Sequence, residues 1–204
     1  MKEKVLVVPR NKLFPEKSFQ GFSKENSNQT FSTLETHSFF ISRETAEKSP
    51  EYKQVIPYLM VKHQDKIFTV TRLSAQGESR LHEKVSIGLG GHVNPKDAAH
   101  SEKPWESALK RELQEEVLIQ GTWEAKWIGF LNDDDTSVGK VHFGVVYKIE
   151  SLTGKVGILE THKMKGDFLS LSETEVLFDK MESWSQFLFS AWCRQNFSSA
   201  GLKK

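Results

Sequence analysis

The chain has 204 residues, and its 28 basic and 27 acidic side chains give a formal net charge of +1. This balance excludes a strong general attraction to nucleic acid or to a membrane surface. A hydrophobic fraction of 37%, with 14 Phe and 5 Trp, excludes a disordered chain and is enough to build a core. The single cysteine, Cys193, excludes an intramolecular disulfide and a zinc site made of cysteines.

No apolar segment is long enough to direct the chain into or across a membrane. The run Val5–Val8 is shorter than the apolar part of a signal peptide. A membrane-spanning helix needs about 18 apolar residues in a row. We therefore expect a cytoplasmic protein that does not associate with a membrane.

Residues 1–54 predict an N-terminal extension packed on the core. Val5–Val8 is typical of a short strand closed by a proline, and Phe39–Ser42 is typical of a second strand. Between them, residues 11–36 are rich in Ser, Thr, Asn and Gln, which predicts irregular structure. The phenylalanines scattered in this stretch indicate that it packs against the rest of the protein. Residues 44–55 predict a short helix or a turn.

A regular pattern begins at residue 56. The stretches 56–62 and 66–72 flank the polar tripeptide HQD and together predict a β-hairpin. A polar loop follows at 74–84, and residues 85–91 predict a strand that ends in two glycines. Residues 92–103 predict an irregular segment.

The second half of the chain predicts one helix, several strands and a terminal helix. Pro104 suits the first turn of a helix that we expect to end near Leu118. Strands at 126–131 and 140–149 flank the acidic loop NDDDTSVG, and a last short strand is expected at 167–171.

The terminal helix has the clearest pattern. Ser172 and Glu175, which precede it, fit a capping box. The residues that follow form an apolar stripe typical of a helix packed on a sheet, namely Trp184, Phe187, Leu188, Ala191 and Trp192. The order of elements predicts an α/β fold with a mixed sheet between helices over residues 55–197, followed by a loose tail at 198–204.

The heptapeptide RELQEEV is the candidate functional motif. On a helix, Glu112, Glu115 and Glu116 share one face, and like charges at this spacing destabilise a helix by a few tenths of a kcal/mol per pair, roughly. One interpretation is a solvated acidic face with an ion pair between Arg111 and Glu115. The other is a divalent cation site completed by a backbone carbonyl near Gly91, because hard cations prefer oxygen ligands.

At these residues the chain resembles the Nudix (MutT-like) hydrolase family. RELQEEV is similar to the REUxEE core of the Nudix box, in which U is an aliphatic residue, and Gly91 resembles the glycine that opens the box. The stretches beginning GGHVNP and IGFLNDDDTSVG resemble a branch of predicted phosphoesterases in that family. The resemblance implies the Nudix α/β/α sandwich with an N-terminal extension.

The chain departs from the family pattern within the box. A standard box has 13 residues between its glycine and its arginine, whereas 19 separate Gly91 from Arg111. The family glutamate eight positions before the arginine corresponds to Lys103 when counted from Arg111, and Glu102 or Glu106 is a possible substitute. The family glycine after the glutamate pair is also replaced, because the chain reads EEVLI.

The resemblance implies hydrolysis of a diphosphate with Mg²⁺, or Mn²⁺ as a substitute. The implied metal ligands are the Gly91 carbonyl and the carboxylates of Glu112, Glu115 and Glu116. Glu112 and Glu115 are also expected to be catalytic, together with Arg111, which would orient Glu115. Glu160 is the candidate catalytic base or additional ligand, and the competing interpretation is an ordinary surface glutamate.

The implied substrate is a nucleoside diphosphate derivative or a related organic pyrophosphate. Candidate contacts to its phosphates are Arg72, Arg80, Lys84 and His92, with an ordinary surface role as the alternative. Nucleic acid would be a partner only through a capped or 5′-phosphorylated end. The phenylalanines before residue 40 are candidates for core packing, for stacking on a base, or for a homodimer interface.

Three functions stay open at this stage. The first is a metal-dependent pyrophosphohydrolase. The second is a nucleotide-binding module that has kept the fold without catalysis. The third is a diphosphate isomerase, which would need a catalytic cysteine, and Cys193 lies far along the chain from the box.

Overall fold

The structure is a computed structural model that describes residues 3–73, 84–99, 102–159, 161–162 and 164–198. Twelve strands occur in this part of the chain: β1 (Lys4–Pro9), β2 (Gly21–Ser23), β3 (Phe39–Ser42), β4 (Tyr52–His63), β5 (Lys66–Arg72), β6 (Val85–Ser86), β7 (Leu89–Gly90), β8 (Val117–Ile119), β9 (Trp123–Asn132), β10 (His142–Ser151), β11 (Val156–Ile158) and β12 (Met164–Ser170).

The helices alternate with these strands. They are α1 (Arg10–Leu13), α2 (Ser27–His37), α3 (Arg43–Lys48), α4 (Pro95–Ala98), α5 (Pro104–Glu116), α6 (Leu171–Val176), α7 (Ser183–Leu188) and α8 (Arg194–Ser198). Short 3₁₀ turns lie at Gly139–Val141 and Phe178–Lys180, and a π-helical turn at Phe189–Cys193 joins α7 to α8. No helix in the described part of the chain is long and apolar enough to cross a membrane.

Ten strands form one sheet, whose main path runs β12-β5-β4-β10-β9-β2. β1, β3, β6 and β7 join this sheet beside the path, and β8 pairs with β11 in a separate two-stranded sheet. β4 and β5 form the expected hairpin around the turn that contains Gln64, which adopts a positive φ of 53°. The predicted α/β fold class with a mixed sheet is confirmed.

The chain divides into two compact units, and the first comprises residues 1–58, 90–111 and 128–146. In this unit β1 pairs antiparallel with β3 and also with β4, where Val7 lies opposite Gln54. β2 pairs with the end of β9. Strands of the N-terminal segment are therefore part of the sheet. The domain boundary placed at residue 55 stays a prediction.

Phenylalanines of the N-terminal segment pack inside the first unit. Phe14 and Phe19 lie 5.9 and 6.3 Å from Phe143, measured between ring centroids. Phe31 lies 6.1 Å from Trp105 in a stacked arrangement. These three rings therefore contribute to the core, which was one of the three roles considered for them.

The second unit comprises residues 59–89, 112–127 and 147 to the end of the chain. β12 pairs with β5 along its whole length, with Phe168 opposite Phe68. The terminal helical segment buries Trp184, Leu188 and Trp192, as the apolar stripe predicted.

The structure corrects four local predictions. The strand predicted at 85–91 is divided into β6 and β7. Residues 11–36 are not irregular throughout, because α2 occupies Ser27–His37. The segment 92–103 contains the short helix α4. The capping box lies two residues earlier than predicted: the Ser170 hydroxyl accepts from the backbone N–H of Glu173, and the Glu173 carboxylate accepts from the backbone N–H of Ser170.

Candidate active site

The box motif lies at the C-terminal end of α5. Trp105, Leu109 and Leu113 are buried on this helix, and Val117 follows directly in β8. This stripe at a spacing of four residues explains why the segment is helical and which face it buries. Arg111 and the three glutamates are carried by the same helix, so the predicted helical placement of RELQEE is found.

The three carboxylates lie where a helix least favours negative charge. Glu112 is 9% exposed, Glu116 is intermediate and Glu115 is exposed. The last turn of α5 contains no basic residue, and the carboxylates lie near the negative end of the helix dipole. Repulsion between neighbouring carboxylates adds to this cost. A cation at this position would relieve both effects.

Arg111 is held by the segment that precedes its helix. Its Nε and Nη2 each donate to the Asp97 carboxylate at 2.9 Å, and Nη2 also donates to the His92 carbonyl at 2.8 Å. Burial of Asp97 raises its pKa, but the bonds from Arg111 and from the Asn94 N–H outweigh burial and bring the pKa below its usual value. The bidentate pair is only slightly exposed, which fixes the orientation of the guanidinium.

Asp97 is a residue that the sequence analysis missed. Counting from the arginine pointed to Lys103, whereas counting forward from Gly91 leads to Asp97. In a standard box the glycine lies 14 positions before the arginine and the glutamate lies eight positions before it, so the glutamate follows the glycine by six positions. In this chain Asp97 follows Gly91 by six positions. The extra residues therefore fall after the acidic position, and the count from the glycine could have found it.

The inserted segment contacts the N-terminal helix α2. Lys103 Nζ lies 3.7 Å from a carboxylate oxygen of Glu35 and 5.6 Å from the Phe31 ring centroid. Phe31 also stacks on Trp105 in the first turn of α5. Lys103 thus takes part in packing between the insertion and α2, and it does not replace the acidic residue of the box.

Gly90 ends β7, and Gly91 and His92 follow it. A Cβ on Gly90 would come within 3.1 Å of both Ile56 and the Pro57 carbonyl, so only glycine fits this close approach without a shift. Burial, with Arg43 and other nearby positive groups, lowers the pKa of His92 to about 3. Its Nε2 is buried and has no hydrogen-bond partner among the described residues.

His142 lies beside His92, with 5.7 Å between the ring centroids. The Nδ1 atom of His142 lies 2.7 Å from the Val138 carbonyl, which places a proton on that nitrogen. Burial lowers the pKa of His142 as well. Both imidazoles are therefore neutral near pH 7.

Two of the predicted phosphate contacts lie next to each other in the second unit. The Arg72 N–H donates to the Lys84 carbonyl at 3.1 Å, and Lys84 is exposed. Arg72 Nε is buried without a hydrogen-bond partner among the described residues. Arg80 lies outside the described residues.

Glu160 also lies outside the described residues, but its neighbour Leu159 does not. The Leu159 N–H donates to the Glu116 carbonyl at 3.0 Å. This bond continues the antiparallel pairing of β8 with β11, in which Val117 lies opposite Ile158. The chain therefore reaches the end of α5 one residue before Glu160.

The acidic loop after β9 is tied to the N-terminal segment. Asp134 accepts from Arg10 at 2.5 Å and from Lys53 at 2.8 Å, and Lys53 is fully buried. Asp133 accepts from Gln20 at 2.8 Å and from the Thr136 hydroxyl at 2.7 Å. These contacts give Asp133 and Asp134 structural roles.

The residues at the end of α5 fit a divalent metal by their chemistry. Three carboxylates on one helical face supply the hard oxygen donors that Mg²⁺ and Mn²⁺ prefer. Across the described ranges, no group of three or more His, Cys, Asp and Glu side chains is already arranged to hold a metal ion. The three carboxylates therefore fit a divalent metal by their chemistry. Their oxygen atoms would have to come together around the ion when it binds.

Comparisons of the sequence and the structure with known proteins indicate which family the chain belongs to. No protein-family model matches the chain. Protein YmaB of Bacillus subtilis (strain 168) is 36% identical over 201 residues, which cover 92% of this chain and 96% of YmaB. The crystal structure of Tm1382, described as a candidate Nudix hydrolase, has a TM-score of 0.81 and 28% identity, and the match covers 95% of this chain and 100% of Tm1382.

A third match shows the same fold at lower identity. The Nudix domain of Shewanella oneidensis NrtR, determined in complex with ADP-ribose, has a TM-score of 0.52 and 13% identity over 71% of this chain and 87% of that one. The likeness to YmaB extends over nearly the whole chain, and the likeness to Tm1382 identifies the fold. Together with the RELQEE helix, they show that this chain belongs to the Nudix (MutT-like) hydrolase family.

Proposed function

We propose that the protein hydrolyses a diphosphate linkage in a nucleoside diphosphate derivative, or a related organic pyrophosphate, with a divalent metal ion. The observation that carries this proposal is the placement of Glu112, Glu115 and Glu116 on one helical face beside a fixed Arg111. Family membership supports the reaction class. Mg²⁺ is the expected metal, with Mn²⁺ as a substitute.

Each residue has a defined task in this reaction. Glu112, Glu115 and Glu116 would hold the metal together with the Gly91 carbonyl. When bound, the metal would neutralise charge on the diphosphate and lower the pKa of an attacking water. Arg111 would provide a fixed positive charge on the same helix as these carboxylates, because Asp97 and the His92 carbonyl hold its guanidinium in place.

Phosphate binding is proposed for Arg72, Arg80, Lys84 and His92. The buried Arg72 Nε supports its part, because an incoming phosphate oxygen would give this donor a partner. Glu160 is proposed as the catalytic base. The bond from Leu159 to the Glu116 carbonyl supports that assignment, since it brings the chain near the end of α5.

The isomerase alternative is disfavoured by the only cysteine. Cys193 is fully buried, and its Sγ lies 3.6 Å from Met60 Sδ. Burial raises the pKa of this thiol well above its usual value. A buried, protonated thiol is a poor nucleophile, so a cysteine-dependent mechanism has no suitable group here.

The test is product analysis by chromatography with Mg²⁺ or Mn²⁺. The panel contains nucleoside triphosphates, nucleotide sugars, ADP-ribose, dinucleotides and coenzyme A. Glu116→Gln should abolish cleavage, whereas Glu124→Gln, an exposed glutamate of β9, should retain it. Cleavage of no panel member with either metal would count against the proposal and favour the nucleotide-binding module. Equal cleavage by Glu116→Gln would show that the reaction does not depend on Glu116 and would count against the proposed metal site.

A further inference from the structure

The segment that leads to Gly91 changes its strand partner just before it reaches the box. β6 pairs with β5, with Ser86 opposite Val70, and β7 then pairs with β4. Ile87 and Gly88 form the turn between these two pairings. At such a change of partner, backbone groups leave one ladder before they enter the next, and they need other hydrogen-bond partners.

Side chains of the terminal helical segment and of β6 form hydrogen bonds with the backbone groups of this turn. The Ile87 N–H donates to Ser185 Oγ at 3.0 Å, and the Gly88 N–H donates to Ser86 Oγ at 3.2 Å. The Ser86 hydroxyl also lies 2.5 Å from the Gly88 carbonyl. Ser86, Ile87 and Ser185 are fully buried, so water cannot take over these bonds.

One carboxylate organises the two serines. Glu182 Oε1 lies 3.0 Å from both hydroxyl oxygens. Each hydroxyl has one proton, and one arrangement satisfies the whole turn: Ser185 donates to Glu182, and Ser86 donates to the Gly88 carbonyl. In this arrangement Ser185 Oγ accepts from the Ile87 N–H. The Glu182 N–H also donates to the Val85 carbonyl at 3.0 Å, which anchors the start of α7 to β6.

We propose that Ser185, oriented by Glu182, is a positioning residue for the metal site. Gly91 lies three residues after Gly88, and β7 lies between them and pairs with β4. The turn therefore determines the register of β7 against β4, and with it the position of the Gly91 carbonyl. This inference rests on the proposed function, because it assumes that this carbonyl binds a divalent metal. Loss of groups that orient a metal ligand typically weakens metal affinity by about 10–100-fold.

The experiment measures Mn²⁺ binding by electron paramagnetic resonance and the Mg²⁺ concentration that gives half-maximal turnover. Ser185→Ala should weaken Mn²⁺ binding at least tenfold, roughly, and raise the Mg²⁺ requirement by a similar factor. At saturating metal its kcat should stay within about twofold of wild type. Ser185→Thr keeps the hydroxyl and should restore most of the metal affinity.

Ser151→Ala is the matched control. Its hydroxyl is buried and accepts from the Gly154 N–H at 3.2 Å, so it holds a turn outside the segment that leads to Gly91. It should leave metal binding unchanged. If Ser185→Ala fails to fold by circular dichroism, Ser86→Ala removes the Gly88 bonds from the other side and should show the same loss of metal affinity.

The outcomes separate this inference from the proposed function. A folded Ser185→Ala protein that binds Mn²⁺ like wild type would overturn the positioning role, and so would an equal loss in Ser151→Ala. Weaker Mn²⁺ binding in Ser185→Ala, when the wild type hydrolyses no panel member, would support the positioning role while the proposed hydrolysis failed.

Discussion

The protein contains two acidic clusters of similar composition, and they are built differently. The loop carboxylates of Asp133 and Asp134 accept hydrogen bonds from residues more than 80 positions away in sequence, including the buried Lys53. The carboxylates of Glu112, Glu115 and Glu116 come from one helix and lie at its negative end. The loop cluster brings its own cations and links segments of the first unit. The helix cluster is the proposed site of a divalent cation.

This contrast predicts opposite consequences for stability and for activity. Neutralising a carboxylate in the loop leaves a buried cation without its counter-ion. Neutralising one on the helix relieves repulsion and removes a proposed metal ligand. The variants below separate the two cases, beginning with the largest expected effect.

Asp134→Asn should lower the free energy of unfolding by about 3–5 kcal/mol, because it leaves the fully buried Lys53 without the carboxylate of its ion pair. Urea denaturation measures this change. Asp135→Asn, at the exposed neighbouring position, should change the free energy by no more than about 0.5 kcal/mol. Equal effects of the two substitutions would mean that the ion pair with Lys53 has no structural role.

Glu115→Gln should lower kcat/KM roughly 100-fold, because it removes a proposed metal ligand, while changing the free energy of unfolding by no more than about 1 kcal/mol at this exposed position. Turnover at saturating Mg²⁺ and urea denaturation give the two values. Glu106→Gln is the control at the other end of α5. It should retain activity and lose a few tenths of a kcal/mol, roughly, since a negative charge favours the first turn. A large loss of stability in Glu115→Gln would contradict the proposed contrast.

Acid should destabilise the loop cluster. Burial raises the pKa of Asp134, but hydrogen bonds from Arg10, Lys53 and Ser18 outweigh it and hold the pKa well below its usual value. The stabilisation is therefore complete above the unfolded-state pKa of about 3.9 and is lost as the pH falls below it, by at most about 1.4 kcal/mol per pH unit for one group.

Urea denaturation between pH 5 and pH 3 measures this dependence. The free energy of unfolding should fall less steeply with pH in Asp134→Asn than in wild type. Asp97, whose pKa is also lowered, accounts for part of the remaining slope. Identical slopes in the two proteins would show that Asp134 is not responsible.

Lys103→Ala should have the smallest effect, a loss of about 0.5 kcal/mol, because its contacts with Glu35 and Phe31 are half exposed. Catalytic constants should not change, since Asp97 and not Lys103 pairs with Arg111. Steady-state kinetics beside urea denaturation test this. A marked loss of activity would assign Lys103 to the helix cluster and blur the distinction between the clusters.

The sequence predicted the elements whose signals are local. The β4–β5 hairpin has alternating residues and a short polar turn, and α5 has a proline start and a stripe at a spacing of four. Helix α2 was not predicted because Phe31 and Leu34 are its only apolar residues. Phe31 packs on Trp105, which lies far away in the sequence. The tertiary contact outweighed the polar composition.

Other details needed information that no local pattern contains. Ser170 with Glu173 and Ser172 with Glu175 both match a capping box, and the length of β12 decides between them. The partners of Asp134 lie 81 and 124 positions away and could not be inferred from spacing. The helical placement of the three glutamates could be predicted, because it depends only on the geometry of one helix.

The π-helical turn at Phe189–Cys193 has a consequence for changes in chain length. A π turn contains about one residue more than an α turn, so deleting a single residue there would restore a regular helix. The later side chains would keep nearly the same direction, because the wide turn holds its extra residue within about the angle of one α turn. Arg194 would then still lie over the Phe178 and Phe189 rings. A one-residue deletion at this turn should therefore be tolerated better than one in the middle of α5, where every later side chain would rotate by about 100° around the helix axis.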